Sequence, residues 1–187
     1  MNTDTSFQPE PWHQWLQRLW RHHWQSERAA QRAVPDAVAA LLAQQVHASE
    51  QRHTGQVMVC IEGALPPSYL WRAGRQLPLA TAVRQRAMAW FGRLGVWDTE
   101  HNNGVLIYLQ LAERRIEIVA DRGLQRCMGA QDWQDTVDRL AVQLRAGRIE
   151  DGLTQALEEV SAQLLAHFPR TASGPHPNEL PDRVLRV

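Results

Sequence analysis

The chain has 187 residues, a formal net charge of zero and no lysine, so all twenty basic residues are arginine. These arginines are spread along the sequence, which argues against a general nucleic-acid binder, because such proteins present a basic patch or stripe. The two cysteines, Cys60 and Cys127, lie far apart, which argues against a disulfide framework. We find neither the apolar run of a secretory signal nor that of a membrane span, and we expect one cytoplasmic domain with terminal extensions.

The beginning of the chain is predicted to be disordered and then helical. Residues 1–11 are polar and contain two prolines, and we expect them to be disordered. From Trp12 to Trp24 apolar residues recur every three or four positions, which predicts an amphipathic helix rich in tryptophan, within residues 12–34. Three interpretations of its apolar face stay open: packing on the domain's own core, docking onto another protein, and peripheral membrane association through residues 12–28, for which tryptophan and arginine are suited.

Residues 35–169 are predicted to form a domain that combines helices with strands. A helical period with a proline in the first turn indicates helices that begin near Pro35 and Pro78. Between them, residues 57–61 form an unbroken apolar run, which predicts a strand covered on both faces. Residues 63–77 contain several prolines and glycines, and we expect a loop there.

A β-hairpin is predicted near the middle of this domain. Residues 105–109 are again continuously apolar, residues 116–118 alternate as in a half-buried strand, and the connection is too short for a helical crossover. Two amphipathic helices should follow, and residues 170–187 should form an extended tail. The order of elements predicts an α/β fold, a three-layer α/β/α sandwich with a small mixed β-sheet and helices on both faces.

Polar side chains flank the predicted hairpin at one end. Asp98, Glu100, Asn102 and Asn103 precede its first strand and Asp121 follows its second, so the hairpin should bring both segments to the same end of the sheet. Carboxylate and amide oxygens are the ligands that Ca²⁺ prefers, and these five residues are the predicted metal ligands. The alternative is that they only satisfy backbone groups of the loop, as Asp and Asn commonly do in turns.

The candidate catalytic residues lie in the same two segments. His101 could act as a general acid or base, because the pKa of histidine lies near neutrality. Asp98 is a candidate through its carboxylate. Arg122 could bind a phosphate, although an arginine on an exposed turn more often faces solvent. The sequence lacks the motifs for dinucleotides, nucleotide phosphates, serine hydrolysis and zinc proteolysis, so no organic cofactor is expected.

The two segments also resemble a known family. The runs WDTEHNNGVLIY at residues 97–108 and RIEIVADRG at residues 115–123, with further matches at residues 49–55 and 177–182, are closely similar to the TPM domain, also called the TPM phosphatase domain. The similarity is strongest to its cytoplasmic bacterial branch, which is often encoded near LemA-type membrane proteins. It covers about residues 12–183.

The resemblance implies a three-layer α/β/α domain, a protein partner for which a LemA-type membrane protein is the candidate, and Ca²⁺ or Mg²⁺ as the bound ion. Family members are described as acid phosphatases, divalent-cation binders or assembly factors. Metal-binding members commonly carry Asp at two positions that correspond here to Asn102 and Ala130. Because calcium affinity rises with ligand charge, at most weak binding is expected.

Our leading interpretation is therefore a cytoplasmic TPM-like module that acts mainly through protein contacts at the inner membrane face. The alternative is a metal-assisted acid phosphatase, in which a bound cation lowers the pKa of its water and so supplies the nucleophile for phosphomonoester hydrolysis.

Overall fold

The fold combines a small mixed sheet with helices on both of its faces. The computed structural model describes residues 9–24, 27–128, 130–170 and 178–187. In chain order the elements are α1 (Trp12–Trp24), α2 (Glu27–Ala33), α3 (Asp36–Glu50), β1 (Val57–Glu62), α4 (Pro67–Arg72), α5 (Leu79–Arg93), β2 (Val105–Gln110), β3 (Arg115–Ala120), α6 (Arg122–Cys127), α7 (Ala130–Arg145), α8 (Ile149–His167) and β4 (Val184–Arg186). This architecture confirms the predicted α/β fold.

The sheet has the strand order β3-β2-β1-β4. Strand β1 runs parallel to β2 and to β4, whereas β2 and β3 form the predicted antiparallel hairpin. Every residue of β1 and β2 is buried, as their continuous apolar runs predicted. One hydrophobic cluster joins α3, α7 and α8 to one face of the sheet, and a second joins α4 and α5 to the other.

Short elements appear where the sequence predicted loops or a tail. Helix α4 lies within residues 63–77, which were predicted to be a loop. Prolines occupy the first turn of this helix, where no backbone donor is needed, and in the sequence they resemble loop residues. Strand β4 lies within residues 170–187, and residues 171–177 of this tail lie outside the described residues. Within residues 12–34 the structure has two helices, α1 and α2. Of residues 1–11, which were predicted to be disordered, residues 1–8 lie outside the described residues. Glu10 is described, and its backbone N–H donates to Gly74 O at 2.6 Å.

One side of α1 is attached to the domain by a buried ionic network. The guanidinium group of Arg18 contacts the carboxylates of Glu10 at 2.6 Å and Glu113 at 3.2 Å. His22 Nδ1 accepts the backbone N–H of Leu65 at 2.9 Å, so its Nε2 carries the proton and donates to Glu113 Oε1 at 2.8 Å. Helix α1 is therefore joined to the hairpin turn by matched charges and hydrogen bonds.

The same network determines the charge state of the Glu113 carboxyl. Burial alone would raise the pKa of Glu113, but the hydrogen bond from His22 and the charges of Arg21 and Arg18 outweigh that effect and lower it. The side chain is consequently a buried carboxylate that depends on all of its partners. As for membrane insertion, none of the helices within the described ranges has both the length and the apolar character needed to cross a bilayer.

We predict that Glu113→Ala lowers the free energy of unfolding by about 3–5 kcal/mol, because it leaves His22 buried without its acceptor and Arg18 buried with Glu10 as its remaining carboxylate. Urea denaturation measures this loss. The matched control is Glu159→Ala, which removes a partly exposed ion pair with Arg139 and should change stability by less than about 1 kcal/mol. Equal losses in both variants would contradict the role given to the network.

Candidate functional site

The loop before β2 and the turn after β3 meet at one end of the sheet, as the hairpin predicted. The backbone N–H of Asp121 donates to Gly104 O at 2.9 Å, and that of Gly123 donates to Asn102 O at 2.8 Å. We call this region, formed by residues 98–104 and 121–123, the polar sheet end. It contains all of the candidate metal and catalytic residues.

Two glycines allow these segments to approach so closely. A Cβ atom on Gly104 would lie 2.0 Å from Val96 O, and one on Gly123 would lie 2.5 Å from Asn102 O. Both obstacles are backbone atoms that cannot rotate away. The glycines of the Asn-Gly and Asp-Arg-Gly sequences are therefore required by close backbone contact.

Two of the predicted ligands are buried in this region and are incompletely hydrogen bonded. Asn103 is 1 % exposed and Asp121 is 6 % exposed. Asn103 donates its backbone N–H to Thr99 Oγ1 and its Nδ2 to Thr54 Oγ1, both at 3.1 Å. Asp121 Oδ1 accepts the backbone N–H of Arg122 at 2.7 Å and so caps α6. Asn103 Oδ1 and Asp121 Oδ2 have no hydrogen-bond partner among the described residues, which is unfavourable for buried oxygens.

The other candidates of this region lie on its surface. The exposed residues are Asp98, Glu100, His101, Asn102 and Arg122. Asn102 adopts a left-handed backbone conformation with φ of 51°, which asparagine tolerates better than most residues. Within the part of the chain that is described, no group of three or more His, Cys, Asp or Glu side chains could hold a metal ion. The structure thus buries Asn103 and Asp121 within this region and leaves the others facing outward.

The chain terminus covers the polar sheet end, which the sequence did not predict. Gln56 Oε1 accepts the backbone N–H groups of Glu179 and Leu180, both at 3.0 Å. Glu179 Oε2 in turn accepts the backbone N–H of Glu100 at 2.9 Å. The resemblance of residues 177–182 to TPM sequences was the available signal that this segment has a structural role.

A buried carboxyl group lies beneath the same segment. Glu50 Oε1 accepts the backbone N–H of Val57 at 2.8 Å, at the start of β1. Burial raises the pKa of Glu50 to about 8; the charge of Asp182 and a hydrogen bond with it act in the same direction, while the bond from Val57 opposes them. Asp182 also contacts His47 Nδ1 at 2.7 Å. At neutral pH Glu50 is therefore largely protonated and shares its proton with the carboxylate of the tail.

A second candidate surface lies on the outer side of α1. Trp12, Leu16 and Trp20 are four residues apart and are 73 %, 46 % and 70 % exposed, so they form one continuous apolar face, which we call the Trp face. On the inner side, Trp15 Nε1 donates to Leu70 O at 3.2 Å, and the guanidinium group of Arg75 stacks on the Trp15 ring at 4.9 Å. Packing on the domain's own core therefore accounts for one side of α1 only.

The Glu50 carboxyl makes stability depend on pH. Its pKa is about 8 in the folded state against 4.5 for the unperturbed group, so between these values the folded state binds more protons than the unfolded state. The free energy of unfolding should then fall as pH rises from 5 to 8, by at most about 1.4 kcal/mol per pH unit. We predict that Glu50→Gln flattens this dependence in urea denaturation at several pH values. Glu158→Gln, at an exposed position, should retain the slope of the wild-type protein, and an unchanged slope in Glu50→Gln would contradict the assignment.

Comparison with known proteins agrees with this geometry. The family model of the TPM domain matches residues 31–163. Among solved structures, the chain is similar to the NMR structure of the BA42 protein from the psychrophilic bacterium Bizionia argentinensis sp. nov., with a TM-score of 0.66 and 22 % identity, over 81 % of this chain and 94 % of that chain. At this identity the likeness shows a shared fold alone, and a comparison with curated proteins finds no match. Because the family model spans most of the chain, including the hairpin and both segments of the polar sheet end, the chain belongs to the TPM domain family.

Proposed function

We propose that this TPM domain acts mainly through protein contacts at the inner face of the membrane, with the Trp face of α1 as the contact surface. The supporting observation is the exposure of Trp12, Leu16 and Trp20 on a helix whose other side is firmly attached to the domain. Burying a large apolar side chain contributes about 1.5–3 kcal/mol, and tryptophans are frequent hot spots of protein interfaces. The Trp face thus supplies side chains of the kind that contribute most to a protein contact.

The charges around the Trp face favour a protein over a lipid surface. A helix that binds anionic lipids needs free cations beside its apolar face. Here Arg18 is buried against Glu113, and Arg21, whose side chain is 48 % exposed, lies 3.5 Å from the same carboxylate, so both guanidinium groups are already paired with an acid. We therefore place a protein partner on this face, with a LemA-type membrane protein as the candidate, and attribute membrane association to that partner.

We predict that the double variant Trp12→Ser/Trp20→Ser folds normally but no longer sediments with membranes that contain a LemA-type protein. Both side chains are mostly exposed, so stability should change little, whereas the apolar contact area is lost. The measurement is the fraction of purified protein that sediments with such membranes, compared with membranes that lack the LemA-type protein.

The control variant is Trp97→Ser, which removes an exposed tryptophan from the loop before β2 and should sediment like the wild-type protein. Equal sedimentation with protein-free lipid vesicles would contradict a protein partner and favour direct lipid binding. Retention of the double variant on the membranes would exclude the Trp face as the contact surface.

As a second function we propose weak binding of Ca²⁺ or Mg²⁺ at the polar sheet end. The supporting observation is that Asn103 Oδ1 and Asp121 Oδ2 are buried without partners among the described residues, and oxygens of this kind suit hard cations. Because only one of the two residues is charged, we expect millimolar affinity. Phosphomonoester hydrolysis is the further alternative, in which Arg122 would bind the phosphate and Asp98 and His101 would be the remaining catalytic candidates.

We predict that Ca²⁺ or Mg²⁺ at about 10 mM raises the melting temperature by roughly 3–6 °C, as a Kd near 1 mM would imply. Asp121→Asn should abolish this shift, because it removes the buried charge while keeping an oxygen that can cap α6. Asp98→Asn is the matched control and should keep the shift. If the cation also supports hydrolysis, turnover of p-nitrophenyl phosphate should require it and disappear in Asp121→Asn; no shift with either ion would exclude the site.

A further inference from the structure

Strand β3 is an edge strand of the described sheet, and its outer backbone groups are not paired with another strand. The bond from the Asp121 N–H to Gly104 O shows which residues of this strand face β2. In antiparallel strands the backbone groups of alternate residues point to the same side. Ile116, Ile118 and Ala120 therefore direct their N–H and C=O groups away from the sheet.

Two side chains donate hydrogen bonds to carbonyl groups of this free edge. Arg84 Nη1 donates to Ile118 O at 2.6 Å, and Gln125 Nε2 donates to Ala120 O at 2.7 Å. Both donors lie on other elements and take the place that a neighbouring strand would have. The amide groups of Ile116, Ile118 and Ala120 make no backbone hydrogen bond on this side within the described residues.

The free edge forms the floor of a groove of about 880 Å³ between α5 and α7. The α7 wall presents an apolar row of Trp133, Val137 and Ala141, which are four residues apart, with the charged Asp138 and Arg145 beside it. The α5 wall presents mainly polar side chains, including Thr81 and Arg84. A strand in this groove would direct alternate side chains toward the α7 wall and the α5 wall.

The charged residues that line the groove indicate the charge of its ligand. The described charged residues that line it are Arg84, Arg114, Arg115, Arg145, Glu117 and Asp138. Four arginines against two acids favour an acidic ligand. Glu117 is already paired with Arg84 at 3.4 Å, and release of Arg84 from Ile118 O would free its guanidinium group for a further carboxylate.

We propose that this groove binds an extended, acidic segment of a partner protein, which adds to the sheet as a strand beside β3. Strand addition supplies affinity through backbone hydrogen bonds and specificity through alternate side chains. Residues of α5 and α7 line the groove on either side of the edge, so an added strand would lie between the two helices. A second copy of this chain would bring its own α5 and α7 against the same walls, which disfavours pairing of two β3 strands.

The probe for the test is a synthetic peptide of about seven alternating glutamate and valine residues, blocked at both ends and matched in length to β3. In NMR titration of the full chain we expect shifts of the Ile116, Ile118 and Ala120 amide signals. At saturation their hydrogen exchange should slow by about tenfold or more, because they become hydrogen bonded. The same peptide with lysine for glutamate, or with alternate amides N-methylated, should bind about tenfold more weakly.

Charge variants test the selectivity. Arg115→Glu/Arg145→Glu should weaken binding of the acidic peptide about tenfold, whereas Arg93→Glu, an exposed α5 residue outside the groove, should leave it unchanged. Equal affinity for the glutamate and lysine peptides would overturn the proposal, as would signal shifts confined to other regions. Slow hydrogen exchange of the edge amides in the free protein would also overturn the proposal, because the edge would already be occupied. A dimer in size-exclusion chromatography would then identify a second copy of the chain as the occupant. A monomer would identify another segment of the same chain.

Discussion

The antiparallel register between β2 and β3 is the constraint on which both the polar sheet end and the free edge depend. Ile107 lies opposite Ile118 and Val105 opposite Ala120, which places Gly104 beside Asp121. A shift by one residue would turn every side chain of β3 to the other face and would remove Ile116 and Ile118 from the cluster that they form with α7 and α8. The apolar core therefore determines where Asp121 lies, and the polar chemistry of the site follows from packing.

Buried polar groups have more hydrogen-bond and ionic partners at one end of the sheet than at the other. Near the end of β1, Glu62 accepts a hydrogen bond from Tyr108 at 2.6 Å and a bidentate contact from Arg86, and Glu113 in the hairpin turn is surrounded by its own cationic partners. Several donors surround each of these two carboxylates, and such networks maintain a fixed geometry. At the polar sheet end, by contrast, Asn103 and Asp121 each retain an oxygen without a partner among the described residues. This difference is what separates a structural polar cluster from a candidate binding site.

Much of the fold could be predicted from local patterns, because long apolar runs and helical periods depend on neighbouring residues. The short elements could not: β4 has three residues and depends on pairing with β1. The site was predictable as a region but not residue by residue. Asn102 and Asn103 are the same residue type, but Asn102 has a left-handed backbone and an exposed side chain, whereas Asn103 is buried. The residue type alone therefore does not indicate which of the two lies in the interior. Likewise, Arg18 is buried on α1 because Glu113, far away in the sequence, neutralises it.

The Trp face has a practical consequence for studying this protein. The chain contains no lysine, so reagents directed at side-chain amines have no target on any of its surfaces. Indole emission depends on solvent, however, and Trp12 and Trp20 are the most exposed tryptophans described, whereas Trp90 is buried. Transfer of these two rings from water into an interface would shift their fluorescence to shorter wavelengths, so the helix carries its own optical probe of association.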